Sequence, residues 1–112
     1  MKQVDKISKS ELNEMSEKMF GNLVKAVVDV EKKLLVVDAE MHADEEQFLL
    51  ERGSRQQDLW GINLYPELDG DDFVEFDSMI NLRPSQNNCT RGVDDPKIRK
   101  RIIDIVNEKV KK

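Results

Sequence analysis

Five polar side chains in the second half of the chain could bind a small polar or anionic ligand. They carry amide, carboxylate and guanidinium groups, which together supply hydrogen-bond donors and acceptors. The candidates are Asn63, Asp77, Asn81, Arg83 and Arg91. If residues 60–65 and 74–83 are the strands of one hairpin, the first four candidates share a sheet face, because alternate residues of a strand point the same way.

The two arginines of this set carry the more specific hypothesis. Arg83 precedes a polar loop over residues 85–93, and Arg91 lies within that loop. A phosphate or carboxylate could bind between them, since guanidinium groups form paired, charge-assisted hydrogen bonds with such anions. The alternative is structural: Arg83 pairs with Asp77 or Glu75, while the Asn and Ser side chains satisfy the loop backbone.

A second candidate site is acidic and contains the only histidine of the chain. Asp38, Glu40 and His42 alternate along a predicted strand, so they would share a sheet face. Imidazole and carboxylate groups bind divalent transition metals. The alternative is a solvated, charged sheet edge, which proteins use to prevent strand-to-strand aggregation.

The sequence gives little support to other catalytic or metal-binding motifs. A nucleophilic triad would have to use His42, and the single cysteine, Cys89, lies in a distant segment. The run at residues 69–72 (Asp-Gly-Asp-Asp) looks like the start of a calcium loop. Such a loop needs Gly at the position of Val74 and Glu at the position of Ile80, so a turn is predicted instead.

The charge distribution argues against nucleic acid as a partner. The net charge is −5, with an acidic middle third and a basic final third. An acidic surface repels nucleic acid. The basic residues near the C-terminus lack neighbouring aromatics on which bases could stack, and pairs such as Lys100 and Asp104 are typical of a solvated helix face.

The same composition predicts one cytoplasmic domain over residues 1–112. A chain of this length forms a single domain of ordinary size. No apolar stretch approaches the roughly 20 residues that span a bilayer. The N-terminus lacks the apolar segment of a signal peptide, and one thiol fits a reducing compartment.

The candidate residues must be positioned by seven predicted elements in the order α-β-β-α-β-β-α. The helices are expected over residues 9–20, over residues 43–52 and from Pro96 onward, with Ser8 as the cap of the first and Asp95 as the cap of the last. The hairpins are expected over residues 23–41 and 60–83. The predicted class is α+β, with both hairpins in an antiparallel or mixed sheet packed by helices.

Apolar residues occur on both predicted faces of the sheet. On the otherwise polar face they are Val27, Leu34, Val36 and Met79. Either helices cover both faces, or a second copy of the chain covers one. The second alternative predicts a homodimer.

Three segments resemble a family of short prokaryotic proteins that forms a domain of unknown function. They are residues 42–46 (His-Ala-Asp-Glu-Glu), residues 59–66 (Leu-Trp-Gly-Ile-Asn-Leu-Tyr-Pro) and residues 75–85 (Glu-Phe-Asp-Ser-Met-Ile-Asn-Leu-Arg-Pro-Ser). The similarity extends over nearly the whole chain. It implies a prokaryotic cytosolic protein, but no activity, cofactor or catalytic residue.

The sequence therefore favours a small non-enzymatic binding or interaction module, with a small anionic or polar ligand as one candidate partner. The competing hypothesis is a carboxylate-rich metal-binding protein, or a metal-dependent enzyme, that uses His42 and its acidic neighbours. The shortage of His and Cys weighs against the second hypothesis.

Overall fold

An antiparallel sheet lies at the centre of the computed structural model, which describes residues 1–111. Within those residues the sheet has five strands: β1 (Lys2–Val4), β3 (Val24–Asp29), β4 (Leu34–Val37), β5 (Leu59–Leu64) and β6 (Val74–Glu75). Their order is β1-β4-β3-β5-β6. A second, two-residue parallel pair joins β2 (Ile7–Ser8) to β7 (Val110–Lys111), which ties the two ends of the described chain together.

Three α-helices accompany the sheet in this part of the chain: α1 (Lys9–Lys18), α2 (His42–Leu50) and α3 (Pro96–Lys109). The predicted caps are confirmed: Ser8 Oγ accepts from the Glu11 backbone N–H at 3.0 Å, and Asp95 Oδ1 accepts from the Lys97 N–H at 2.8 Å. Side-chain oxygens at these positions satisfy backbone donors that a helix start leaves unpaired. No helix in residues 1–111 is long and apolar enough to cross a bilayer.

Helices cover both faces of the sheet, so the α+β prediction is confirmed as a three-layer arrangement. Alternate residues of β3 enter two separate cores: Val28 packs with residues of α1 and α3, whereas Val27 packs with Leu49 of α2. Trp60 lies in the first core with 1% of its surface exposed. Because Val27 and Val36 are fully buried beneath α2, they need no second copy of the chain to cover them.

The second predicted hairpin is wrong in its second strand. The strand β6 ends at Glu75, and the chain then turns through short 3₁₀ segments at Met79–Asn81 and Pro84–Gln86. The Asn81 amide replaces the missing strand: its Oδ1 accepts from the Gly61 N–H at 2.8 Å, and its Nδ2 donates to the Gly61 carbonyl at 2.9 Å. A side chain, and not a second strand, therefore pairs with this edge of β5. The four residues that were predicted to share one strand face do not share it: Asn63, Asp77, Asn81 and Arg83.

The first hairpin is confirmed over β3 and β4, but its predicted end is wrong. The strand β4 stops at Val37, because Asp38 adopts a left-handed backbone with φ of 72° that cannot continue an extended strand. His42 is the first residue of α2 rather than a strand residue. Asp38, Glu40 and His42 therefore do not alternate on one sheet face. The short strand β1 was not predicted.

Candidate ligand-binding cleft

A cleft of about 500 Å³ opens on the α2 face of the sheet, where β5 ends and α2 begins. The first turn of α2 contributes His42, and the end of β5 contributes Asn63 and Tyr65. Glu75 of β6 and the segment that follows it complete the polar wall. Asn63 lies in β5 and Tyr65 directly follows the strand, so their two-residue spacing places them on the same face of the sheet.

Gly61 lets two side chains approach the strand closely at the base of this region. A Cβ at position 61 would lie 2.6 Å from the Cβ and Oγ of Ser78 and 3.2 Å from Cδ2 of His42. Only the absence of a side chain leaves room for both. The glycine therefore fixes how near α2 and the Ser78 segment lie to β5.

A carboxylate organises the polar wall of the cleft. Glu75 lies opposite Asn63 in the β5–β6 register. Its Oε1 accepts from Asn63 Nδ2 at 2.8 Å and from the Tyr65 hydroxyl at 2.9 Å. Burial raises the pKa of Tyr65, and the nearby carboxylates of Glu75 and Asp77 raise it further, which indicates a negative potential at this wall.

Asn63 has a buried oxygen without a partner. Its Nδ2 donates to Glu75, and also approaches the Asp77 carbonyl at 3.4 Å, so these acceptors fix the orientation of the amide. The side chain belongs to a residue that is 7% exposed, and Oδ1 has no hydrogen-bond partner within residues 1–111. A buried carbonyl oxygen left unpaired costs about 1–3 kcal/mol. A protonated His42 would donate to Asn63, so while His42 is neutral this oxygen points to a donor that another molecule supplies.

His42 is held as a neutral imidazole. Its Nε2 lies 2.7 Å from the Ile62 carbonyl oxygen, which can only accept, so the proton is on Nε2. Burial lowers the pKa of His42, and Lys25 lowers it further, against the raising effects of the Ile62 carbonyl, Asp77 and Asn63. In this tautomer Nδ1 carries a lone pair and is an acceptor.

The two predicted arginines lie in different environments. Arg91 is at the cleft and 56% exposed, and its Nε lies 2.8 Å from Asp77 Oδ1. Arg83 does not line the cleft: its guanidinium donates to the carbonyls of Ile80 and Gln56 at 2.9 and 2.8 Å and to that of Leu59.

The other contacts of the Arg83 guanidinium are also with groups of the protein, an aromatic ring and a carboxylate. The side chain is 8% exposed, lies 4.7 Å over the Trp60 ring and is 3.9 Å from Glu46 Oε2. Burial lowers the pKa of Arg83, and Glu46 opposes that effect. Arg83 thus pairs neither with Asp77 nor with Glu75. Its role is to hold the segment before β5 against the loop that follows residue 83.

Asparagines organise that loop from within. Besides its contacts with Gly61, Asn81 donates to the Arg91 carbonyl at 2.9 Å. Asn88 is 3% exposed; its Nδ2 donates to the carbonyls of Asn81 and Gly92 at 2.7 and 2.8 Å. Its Oδ1 accepts from the Asp94 N–H at 2.8 Å. Asn81 is therefore positioned as a structural residue, as is Asn88, which the sequence did not single out.

The residues proposed for a metal are not brought together. Asp38 Oδ2 lies 3.6 Å from the N-terminal amino group, and Glu40 is exposed. His42 uses its Nε2 to contact the Ile62 carbonyl oxygen. Across residues 1–111, no group of three or more His, Cys, Asp or Glu side chains is arranged to hold a metal ion.

Glu45 is a buried acid that the sequence did not single out. It is fully buried, and apart from an interaction with the Ala39 backbone its carboxylate oxygens have no hydrogen-bond partner in the described chain. Burial raises its pKa to about 10, so the side chain is protonated at neutral pH. The signal was present: His42, Glu45 and Leu49 are spaced as one helical face, and all three are buried.

A second, larger cleft of about 630 Å³ lies on the other side of the sheet, between α1, α3 and the turn at Gly70–Asp72. There Lys9 Nζ donates to Asp69 Oδ1 at 2.6 Å and to the Leu68 carbonyl at 2.7 Å. None of the buried unpartnered atoms found in residues 1–111 belongs to its lining. The smaller cleft is therefore the better candidate site, although the other is larger.

The fold and the site together define an α+β domain with a polar cleft on one face of its sheet. The sequence profile of the protein family of unknown function DUF5674 matches residues 3–109. The chain belongs to this family, and the resemblance seen in its sequence is confirmed. Comparison with curated proteins found no match, and comparison with solved structures found none either.

Proposed function

We propose that the chain is a small non-enzymatic binding module whose cleft, beside His42, Asn63 and Glu75, binds a small polar ligand. The observation that carries this proposal is the buried, unpartnered Oδ1 of Asn63. Its orientation is fixed by the contact between Nδ2 and Glu75. A ligand that donates a hydrogen bond to this oxygen would recover the free energy of an unmade bond.

The expected ligand site therefore does not lie between Arg83 and Arg91, where the sequence had suggested an anion. The donors of Arg83 bind backbone carbonyls, so an anion held between Arg83 and Arg91 would first have to break those bonds. Arg91 is already paired with Asp77. A polar ligand that presents donors fits the cleft better than a phosphate. No observation specifically favours the metal-dependent alternative at His42.

Filling the cleft tests the proposal without altering its polar groups. Ala43 lines the cleft and is exposed, so Ala43→Trp would occupy the space while α2 is retained. Gln47→Trp is the matched control, because Gln47 is exposed on the same helix outside the lining. The melting temperature of each variant would be measured with a panel of small polar metabolites.

A ligand present at about 100 times its Kd should stabilise the wild type by about 2.7 kcal/mol. The same stabilisation is expected for Gln47→Trp and should be lost in Ala43→Trp. If every stabilising compound acts equally on both variants, binding occurs elsewhere and the proposal is wrong. If no compound in the panel stabilises the wild type, the proposal is equally contradicted.

A further inference from the structure

We infer that the ligand of this cleft presents a primary ammonium group on an apolar carbon skeleton, an inference that rests on the proposed function. The first support for this inference comes from the hydrogen-bonding groups of the polar wall. The Asn63 oxygen, the second oxygen of Glu75 and His42 Nδ1 are all acceptors once the observed bonds are counted. An ammonium group has three donors and no acceptor, so it complements such a wall.

The charge of the wall favours the same head group. Two carboxylates, Glu75 and Asp77, lie at the cleft, and Arg91 neutralises the second at 2.8 Å. Among residues 1–111, Glu75 contacts only the neutral donors Asn63 and Tyr65 and forms no ion pair. Although Glu75 is an exposed residue, its carboxylate is free to accept hydrogen bonds from a ligand cation, and such charge-assisted bonds are about twice as strong as neutral ones.

The cationic side chains that line the cleft, Lys25 and Arg91, do not pair with Glu75. Lys25 lies on β3 opposite Asn63 in the register, but its Nζ is 4.9 Å from the centre of the Phe20 ring. Its charge is therefore directed to an aromatic face that does not line the cleft. With Arg91 engaged by Asp77, the ammonium of a ligand meets no competing protein cation at Glu75.

The border of the cleft indicates the chemistry of the rest of the ligand. Met41 and Met79, at the cleft, are 56% and 63% exposed, and Leu23 and Ile80 extend the same apolar border. Large apolar side chains exposed around a polar recess are typical of a site that contacts the hydrocarbon part of a ligand. Methionine suits this task because its unbranched side chain adapts to different shapes.

Three probes with one carbon chain and different head groups test the inference. They are n-pentylammonium, n-pentanoate and 1-pentanol, each titrated into ¹⁵N-labelled protein at neutral pH. The chemical shifts of the Asn63 side-chain amide and of the Ala43 backbone report binding in the cleft. We expect n-pentylammonium to bind at least about tenfold more tightly than the other two, a factor that corresponds to about 1.4 kcal/mol.

A pair of charge variants locates the preference. Glu75→Gln keeps an acceptor oxygen for Asn63 and Tyr65 but removes the charge, and it should weaken n-pentylammonium binding about tenfold, while 1-pentanol is unaffected. Glu14→Gln is the control, because Glu14 is an exposed acid on α1, across the sheet. It should change nothing. If Glu75→Gln does not fold, the ranking of the three probes on the wild type decides the question alone.

The outcomes separate this inference from the proposed function. If n-pentanoate or 1-pentanol binds in the cleft as tightly as n-pentylammonium, the ammonium inference is overturned and the cleft remains a binding site. The ammonium inference is also overturned if none of the probes shifts the Asn63 amide while a polar metabolite does. If neither the probes nor the metabolites bind there, both proposals fail together.

Discussion

Replacing the buried Glu45 by Gln should change how the stability of the protein depends on pH. Glu45 lies on the buried face of α2 with no exposed surface, and burial raises its pKa from 4.5 to about 10. The folded state therefore keeps a proton that the unfolded state releases between these two values. Stability is favoured at low pH by this group and falls as the pH rises through that window.

The size of the effect follows from proton linkage. Each pH unit inside the window costs about 1.4 kcal/mol, so the wild type should lose about 2.7 kcal/mol relative to Glu45→Gln between about pH 5.5 and about pH 7.5. Gln has the same shape but no titrating group. The pKa of His42 is lowered, which makes the opposite contribution below pH 6.5. That contribution is common to both proteins and cancels in their difference.

Chemical denaturation at several pH values would measure this difference. The free energies of unfolding of the wild type and Glu45→Gln should diverge with rising pH, with the variant the more stable at the alkaline end. Glu40→Gln, which removes an exposed carboxylate just before the same helix, should run parallel to the wild type. If the Glu45→Gln curve also runs parallel, Glu45 is ionised in the folded protein and the assignment of a buried neutral acid is refuted.

Three further substitutions test the structural roles assigned around the cleft. Gly61→Ala should destabilise the fold by about 1–3 kcal/mol through overpacking against Ser78, and adding Ser78→Gly should restore part of the loss; an unchanged melting temperature would contradict the close approach. Asn81→Ala should cost about 2–5 kcal/mol in denaturant titrations, since it leaves both backbone groups of Gly61 unpaired. Arg83→Lys should lower the free energy of unfolding by about 2 kcal/mol although it keeps the positive charge, because an ammonium group cannot reproduce the guanidinium contacts to separate carbonyls. Equal stability of the two proteins would make Arg83 a ligand-binding candidate again.

The regular part of the fold could be predicted because its signals are local. Alternating apolar residues predicted β3 and β4, and the cap residues Ser8 and Asp95 marked the starts of α1 and α3. The turn between β3 and β4 is held by a nearby side chain, because Asp29 Oδ1 accepts from the backbone N–H groups of Glu31 and Lys32 at 2.9 and 2.8 Å. Each of these depends on residues a few positions apart.

The segment after β6 could not be predicted in the same way. Phe76, Ile80 and Leu82 suggested a continued strand, but residues 76–82 are instead held to β5 by the Asn81 side chain. That contact joins residues 20 positions apart, and a single asparagine gives no periodic signal. Arg83 was found as a polar residue of interest, but its carbonyl partners Gln56 and Leu59 became visible only in three dimensions.

The candidate cleft was predicted in part. Asn63, Asp77 and Arg91 line it, whereas Asn81 and Arg83 support it from outside. His42 was considered for metal binding and for a nucleophilic triad, and not for a polar ligand site, although its place in the cleft follows from the first turn of α2 packing against β5. The partnership of Tyr65 and Glu75 was missed, because it joins residues 10 positions apart and gives no periodic signal.

The most direct test of ligand binding in this cleft is a map of where a mixture of small polar metabolites binds to ¹⁵N-labelled protein. We predict that amide signals shift at Asn63, Tyr65 and Ala43, including the Asn63 side-chain amide, and that Ala43→Trp abolishes the shifts. Shifts confined to residues of the other cleft, such as Lys9 and Asn107, or no shifts at all, would contradict the proposed site.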